Sequence, residues 1–192
     1  MDLSDLREAD RRAVEATDDI VGLVTAGHLA NATPCAGWDL ADLLRHMTGQ
    51  HRGFAAAARG QAVDVRVWED VDLGADPVRV YQESAAGVLA AFAEADLSRR
   101  WALHEFGNVP GSLAVSMHFV DYLVHGWDVA RAIGASEELD DELSELALRL
   151  GSHWPAGSQQ IWGPGAPFGH QVTVPADAPP GQRLLGFLGR EP

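Results

Sequence analysis

The stretch Ser112–Gly134, SLAVSMHFVDYLVHGWDVARAIG, constrains this chain more than any other segment. Read as one helix advancing about 100° per residue, it places Leu113, Met117, Val120, Val124 and Trp127 on one side. Val115, Phe119, Tyr122, Leu123 and Ala130 then cover most of the rest. A helix apolar nearly all round belongs in a core. Its remaining arc nevertheless carries His118, Asp121, His125 and Asp128 in line, flanked by Ala114 and Ala132. Ionisable groups in a core need a partner, because an unpaired buried charge is strongly destabilising. Asp121 and His125 are four residues apart, about 5–6 Å at Cβ, which suits two ligands on one cation, with a third ligand to come from another helix. Taken alone, the same pair also reads as an i,i+4 ion pair worth about 0.2–0.5 kcal/mol.

With 192 residues, 46% of them hydrophobic, the chain can bury a real core, and it is expected to form a single domain over 1–192 with four or five helices. A formal charge of -14 argues against nucleic acid and anionic membrane as partners, since both need a basic footprint. There is no run of 18 or more apolar residues, and the start MDLSDLREADRR is acidic where a secretory signal would be basic and then apolar. A soluble, cytoplasmic protein is expected, as a monomer or a homodimer. The single cysteine, Cys35, excludes an intramolecular disulfide and every multi-cysteine zinc pattern. Any metal site must be built mainly from His, Asp and Glu.

Along the chain, apolar spacing predicts a first helix over 3–27 and a second over 39–59, the latter capped by Asp39 with Asp42 in its first turn. His46 falls about 60° outside the edge of that second helix's apolar stripe, where it can line a gap between helices, whereas His51 falls inside the stripe and reads as structural. Residues 61–76 read as a loop with one strand-like turn. Asp76 and Pro77 start a third helix over 77–95, and 96–111 connect it to the central helix at 111–133. A mainly all-α, up-down-up-down four-helix bundle over about 3–134 is the result. A short C-terminal extension over about 137–192 follows, with a helix that Ser136 could cap, a loop-rich tail containing one strand-like piece, GHQVTVPAD, and a last helical turn or two at GQRLLGFLG.

Three segments carry a family resemblance: TPCAGWDLADLLRHMTGQHRGF at 33–54, HFVDYLVHGWDVARAIG at 118–134, and the ending FGHQVTVPADAPPGQRLLGFLGREP. Together they resemble actinobacterial proteins related to the metal-binding domain of mycothiol-dependent maleylpyruvate isomerase, within the DinB/YfiT-like group of metal-binding four-helix bundles. The specific element is a Trp-Asp-x6-His segment paired with a later acid-x3-His-Gly-Trp-Asp segment. The resemblance implies a divalent metal, usually zinc, held by a histidine of the second helix and an acid/histidine pair of the long helix, which here are His46, Asp121 and His125. It also implies mycothiol as a thiol cosubstrate. Two departures stand out: Asp121 replaces a glutamate ligand of the isomerase, and the sequence ends without that enzyme's larger C-terminal domain.

Two imidazoles and one carboxylate form a ligand set for catalytic zinc with a fourth position left open, although Ni2+, Fe2+ or Mn2+ would also be accepted. His118 and Asp128 are candidates for lining the pocket or supporting the ligands from behind, with Asp128 either orienting a ligand imidazole or pairing with Arg131. Cys35 reads as a small buried residue, and Trp38 and Trp127 as core. Two function classes follow. One is a metal-dependent transferase or isomerase that adds a low-molecular-weight thiol to a small electrophile. The other is a non-catalytic metal-binding protein in which the ion is structural or the pocket serves sensing, and a fourth protein ligand such as His118 would mark it.

Overall fold

The computed structural model describes residues 2–61, 64–69, 71–104, 106–154, 161–163 and 168–192. The chain divides into two compact units, Met1–Ser136 and Glu137–Pro192. In the first, α1 spans Leu3–Val21, α2 Leu40–Ala58, the short α3 Arg66–Glu69, α4 Pro77–Glu94 and α5 Gly111–Ile133, with strands β1 (Arg100–Leu103) and β2 (Gly107–Pro110) between α4 and α5. The caps are those the local sequence favours. Asp39 Oδ1 accepts from Asp42 N–H at 2.9 Å while Asp42 accepts in return from Asp39 N–H, and Asp76 Oδ1 accepts from Arg79 N–H at 3.1 Å. Helix α5 ends at Gly134, whose φ of 69° is the left-handed conformation that closes a helix. Helix α1 stops at Val21 rather than 27, its last carbonyls being taken up by Gly22, Leu23 and Val24, and a single 3-10 turn follows at Ala26–His28.

Contacts between helices fix their directions. Asp10 of α1 bonds His118 at 2.7 Å and, further along both helices, the Thr17 hydroxyl reaches the Tyr122 carbonyl at 3.0 Å, so α1 and α5 run parallel. Arg7 donates to the Phe92 carbonyl near the end of α4, and Gly22 lies beside Gln82 near its start, so α1 and α4 are antiparallel. Between α2 and α5, the ring of His46 meets His125 and that of Phe54 meets His118, an antiparallel pairing. His51 meets Ser84 and Phe54 meets Phe92, making α2 and α4 parallel. The bundle is therefore up-down-down-up. This corrects the strictly alternating order expected from the sequence, while the mainly helical bundle stands.

The reason lies in the described part of the connection between α2 and α4, where Trp68 lies back against the middle of α2. Gly49 and Gly53, one turn apart on α2, open its path: a Cβ at Gly49 would overlap the Trp68 carbonyl oxygen, and one at Gly53 would overlap the Trp68 indole. In place of the expected strand-like turn it holds α3, with Trp68, Val71 and Leu73 buried. The connection 96–111 likewise gains structure as an antiparallel hairpin, Trp101 opposite Val109, that buries Trp101 and Leu103.

Leu40, Leu43, Leu44, Met47, Val14, Tyr81 and Tyr122 fill the core of this unit. Beside them lies a polar centre: His118 held by Asp10, and His51 stacked 4.0 Å from Tyr122 with its Nδ1 3.0 Å from the Ser84 hydroxyl. The Ser84 hydroxyl donates to the Tyr81 carbonyl and so accepts from His51 Nδ1–H, which leaves Nε2 bare. The second unit holds α6 (Asp141–Gly151) and α7 (Pro180–Phe187). Helix α6 is capped by Asp140, whose carboxylate accepts from Leu143 N–H at 2.9 Å, not by Ser136. Among the described residues 169–177 form no strand. Val172 instead donates to the Gly186 carbonyl at 2.8 Å.

Burial, and then the neighbouring His118, hold the His51 imidazole well below its usual pKa. It stays neutral in the fold while the unfolded chain takes up a proton below about pH 6.5, so its contribution to stability is lost as pH falls through that value. Urea unfolding at pH 7.0 and 5.5 should show an acid loss that His51→Phe reduces by up to about 1.4 kcal/mol per pH unit below 6.5. An equal slope in both proteins would contradict this.

Candidate metal centre

The antiparallel crossing of α2 and α5 sets His46 opposite the polar seam of α5. Its ring stands edge-on to that of His125 with centroids 5.4 Å apart, and the ligand-capable atoms of His46, Asp121 and His125 all lie within 4.8 Å of one another. His125 Nε2 is 3.3 Å from Asp121 Oδ1. Two ligands on a tetrahedral ion with bonds of about 2.0–2.1 Å stand roughly 3.3–3.4 Å apart, so this edge already has the required length. On the other side of the imidazole, His125 Nδ1 is 2.9 Å from Asp128 Oδ2. A carboxylate at Nδ1 directs the Nε2 lone pair toward Asp121 and His46 once the ring is neutral, the usual support of a metal-bound imidazole. His125 and Asp128 are buried, while His46 and Asp121 are half-buried.

The charges are arranged for a cation. Burial, and then the charge of His125, push His46 down to about 4, leaving it a neutral donor at pH 7. Burial works to raise Asp121, yet the charge and hydrogen bond of His125 outweigh it and bring the carboxyl to about 2. His125 goes the other way: burial opposes its protonation, but Asp121, then Asp128 and Cys35, hold it well above its usual range. His125 thus has carboxylates at both ring nitrogens, a field that favours positive charge between α2 and α5. The three residues fit a metal in donor type, separation and charge.

Beside His46 opens a cavity of about 430 Å³, walled by Trp38, Phe54, Trp68 and Phe106 and edged by Arg45 and Glu69 among others. Trp38 is half-buried and its ring lies 4.9 Å from that of His46, so it serves this wall as well as the core it was expected to join, whereas Trp127 is buried. His118 stands apart from the three converging residues: it is fully buried and bonded to Asp10, a partner on α1 that no sequence spacing indicates. Cys35 is half-buried, with Sγ 4.0 Å from His125 Nδ1 and donating to Asp128 Oδ2 at 3.4 Å. Cys35, His125 and Asp128 make a second converging group, on the opposite side of the same imidazole. No sequence signal brought Cys35 into it, because Cys35 is ninety residues from His125 and meets it only through the fold.

Residues 11–130 match the family described as the mycothiol maleylpyruvate isomerase N-terminal domain. Two uncharacterised proteins of Mycobacterium tuberculosis, from two strains, are each 33% identical over 183 residues, covering 95% of this chain and 96% of theirs. The fold resembles crystal structures of the mycothiol-dependent maleylpyruvate isomerase. One, a mutant form, has a TM-score of 0.61 at 15% identity, and another 0.59 at 16%, each covering 78% of this chain and 68% of the other. Among the described residues no helix is long and apolar enough to cross a membrane.

Asp128→Asn should weaken divalent-metal affinity by about 10–100-fold while leaving the helical circular dichroism unchanged, because the amide cannot hold the His125 ring as a carboxylate does. Competition with a chromophoric chelator measures this, and unchanged affinity would remove Asp128 from the site.

Proposed function

Since the chain belongs to the mycothiol maleylpyruvate isomerase N-terminal domain family, we propose that it is a divalent-metal-dependent enzyme that activates a low-molecular-weight thiol of the mycothiol type. The thiol would be transferred to a small electrophile, or used to isomerise it. One observation supports this most directly: His46, Asp121 and His125 converge beside a cavity large enough for a small molecule. His46, Asp121 and His125 would hold the ion, with zinc the natural occupant of a two-histidine, one-carboxylate set and nickel, iron or manganese also compatible. A divalent ion held there supplies a Lewis acid that keeps a bound thiol deprotonated at neutral pH. Asp128 fixes the His125 ring, Cys35 donates to Asp128 from behind, and Trp38 packs against His46 on the cavity side.

The alternative, a structural or sensing ion in a closed shell, needs a fourth protein ligand. Among the described residues no fourth acid, histidine or cysteine joins His46, Asp121 and His125, and His118 is engaged with Asp10. That favours an accessible position and hence catalysis.

Elemental analysis of the purified protein should find one equivalent of divalent metal, lost in His125→Ala and retained in His51→Phe. A thiol-conjugation assay should fall to background in His125→Ala and on chelation. Metal retained by a His46→Ala, His125→Ala double variant would refute the site. Metal loss with no change in conjugation would refute the enzyme.

A further inference from the structure

The described lining of the cavity beside His46 carries more acid than base. Among the described residues its one guanidinium, Arg45, is bonded to Asp42 at 2.6 Å, and Asp42 is itself held in the α2 cap by accepting from Asp39 N–H. His104 lies 3.5 Å from the Glu69 carboxylate. The described lining therefore offers two carboxylates against one committed guanidinium, within a chain of formal charge -14. With no ion at His46, a carboxylate ligand would meet a repulsive field and no uncommitted clamp among the described residues. The rest of the wall is aromatic: Phe54 and Trp68 pack edge-on at 5.4 Å, and Trp38 and Phe106 complete it. Such walls recognise flat, apolar rings.

We propose that this cavity selects an uncharged, planar aromatic electrophile over an anionic one. The class that fits is an aryl enone or a similar conjugated acceptor. The thiol sulfur bonds to the β-carbon, the C=C π bond breaks toward the carbonyl, and the proton lost by the thiol returns to the α-carbon. The chemistry of this step rests on the thiol-transferring function proposed above, whereas the binding preference does not.

Benzylideneacetone and cinnamate are nearly isosteric and differ in charge, so they isolate the preference. Calorimetry should be done on the full chain after chelation, with retained helix verified by circular dichroism, so that cinnamate cannot coordinate a metal. Benzylideneacetone is expected to bind at least about tenfold more tightly, and Asp42→Asn, which frees Arg45 from its carboxylate partner, should tighten cinnamate several-fold relative to benzylideneacetone. Cinnamate binding as tightly as benzylideneacetone, no saturable binding of either at millimolar concentration, or an Asp42→Asn variant with unaltered selectivity would each overturn the proposal. Assaying conjugation of benzylideneacetone by the metal-loaded protein separates the two ideas. Binding without conjugation contradicts the enzymatic function and leaves the cavity's selectivity standing. Conjugation of anionic acceptors alone contradicts the selectivity and leaves the function.

Discussion

The polar seam of α5 is what the rest of the structure accommodates. His118, Asp121, His125 and Asp128 follow one another along a helix that is otherwise packed in the core, and each has to be satisfied there. The bundle does this in two places. Toward α1, Asp10 takes up His118 at 2.7 Å. Toward α2, His46 faces Asp121 and His125, and Asp128 closes the far side of the His125 ring at 2.9 Å. The first place is a completed pair. The second gathers the ligand atoms of two histidines and a carboxylate within 4.8 Å of one another, a set of the kind that takes a divalent ion.

Helix order gives that site its surroundings. Because α2 and α4 run the same way, the chain must return along the outside of α2, and the two glycines there let Trp68 sit against the helix. The same indole walls the cavity beside His46. With an alternating bundle and a tight turn after α2, this wall would not exist. Topology, the aromatic wall and access to the candidate ligand His46 thus share one cause.

Much of this was legible in the sequence. Periodicity and capping residues place α2, α4 and α5 within a residue or so, because each helix carries its own apolar stripe and its own start signal, as at Asp39 and Asp76. Helix direction was not legible, since a stripe reads the same whichever way its neighbour runs. The pairing of β1 with β2 is not legible, because each strand is four residues long and neither RWAL nor GNVP alternates apolar with polar in sequence. At the site, the i,i+4 spacing marked Asp121 with His125, and the stripe margin marked His46. Asp10 and Cys35 were hidden: one lies among several acids on an amphipathic helix, and the other meets its partners only across the folded chain.

The central claim is that one divalent ion sits between His46, Asp121 and His125. Anomalous diffraction from crystals of the metal-loaded protein, recorded above and below the absorption edge of the metal, tests it most directly. The account predicts a single strong peak at coordination distance from the imidazoles of His46 and His125 and the carboxylate of Asp121, with at least one position left to a non-protein ligand. A peak on the opposite side of the ring, among Cys35, His125 and Asp128, or no peak between α2 and α5, would contradict it.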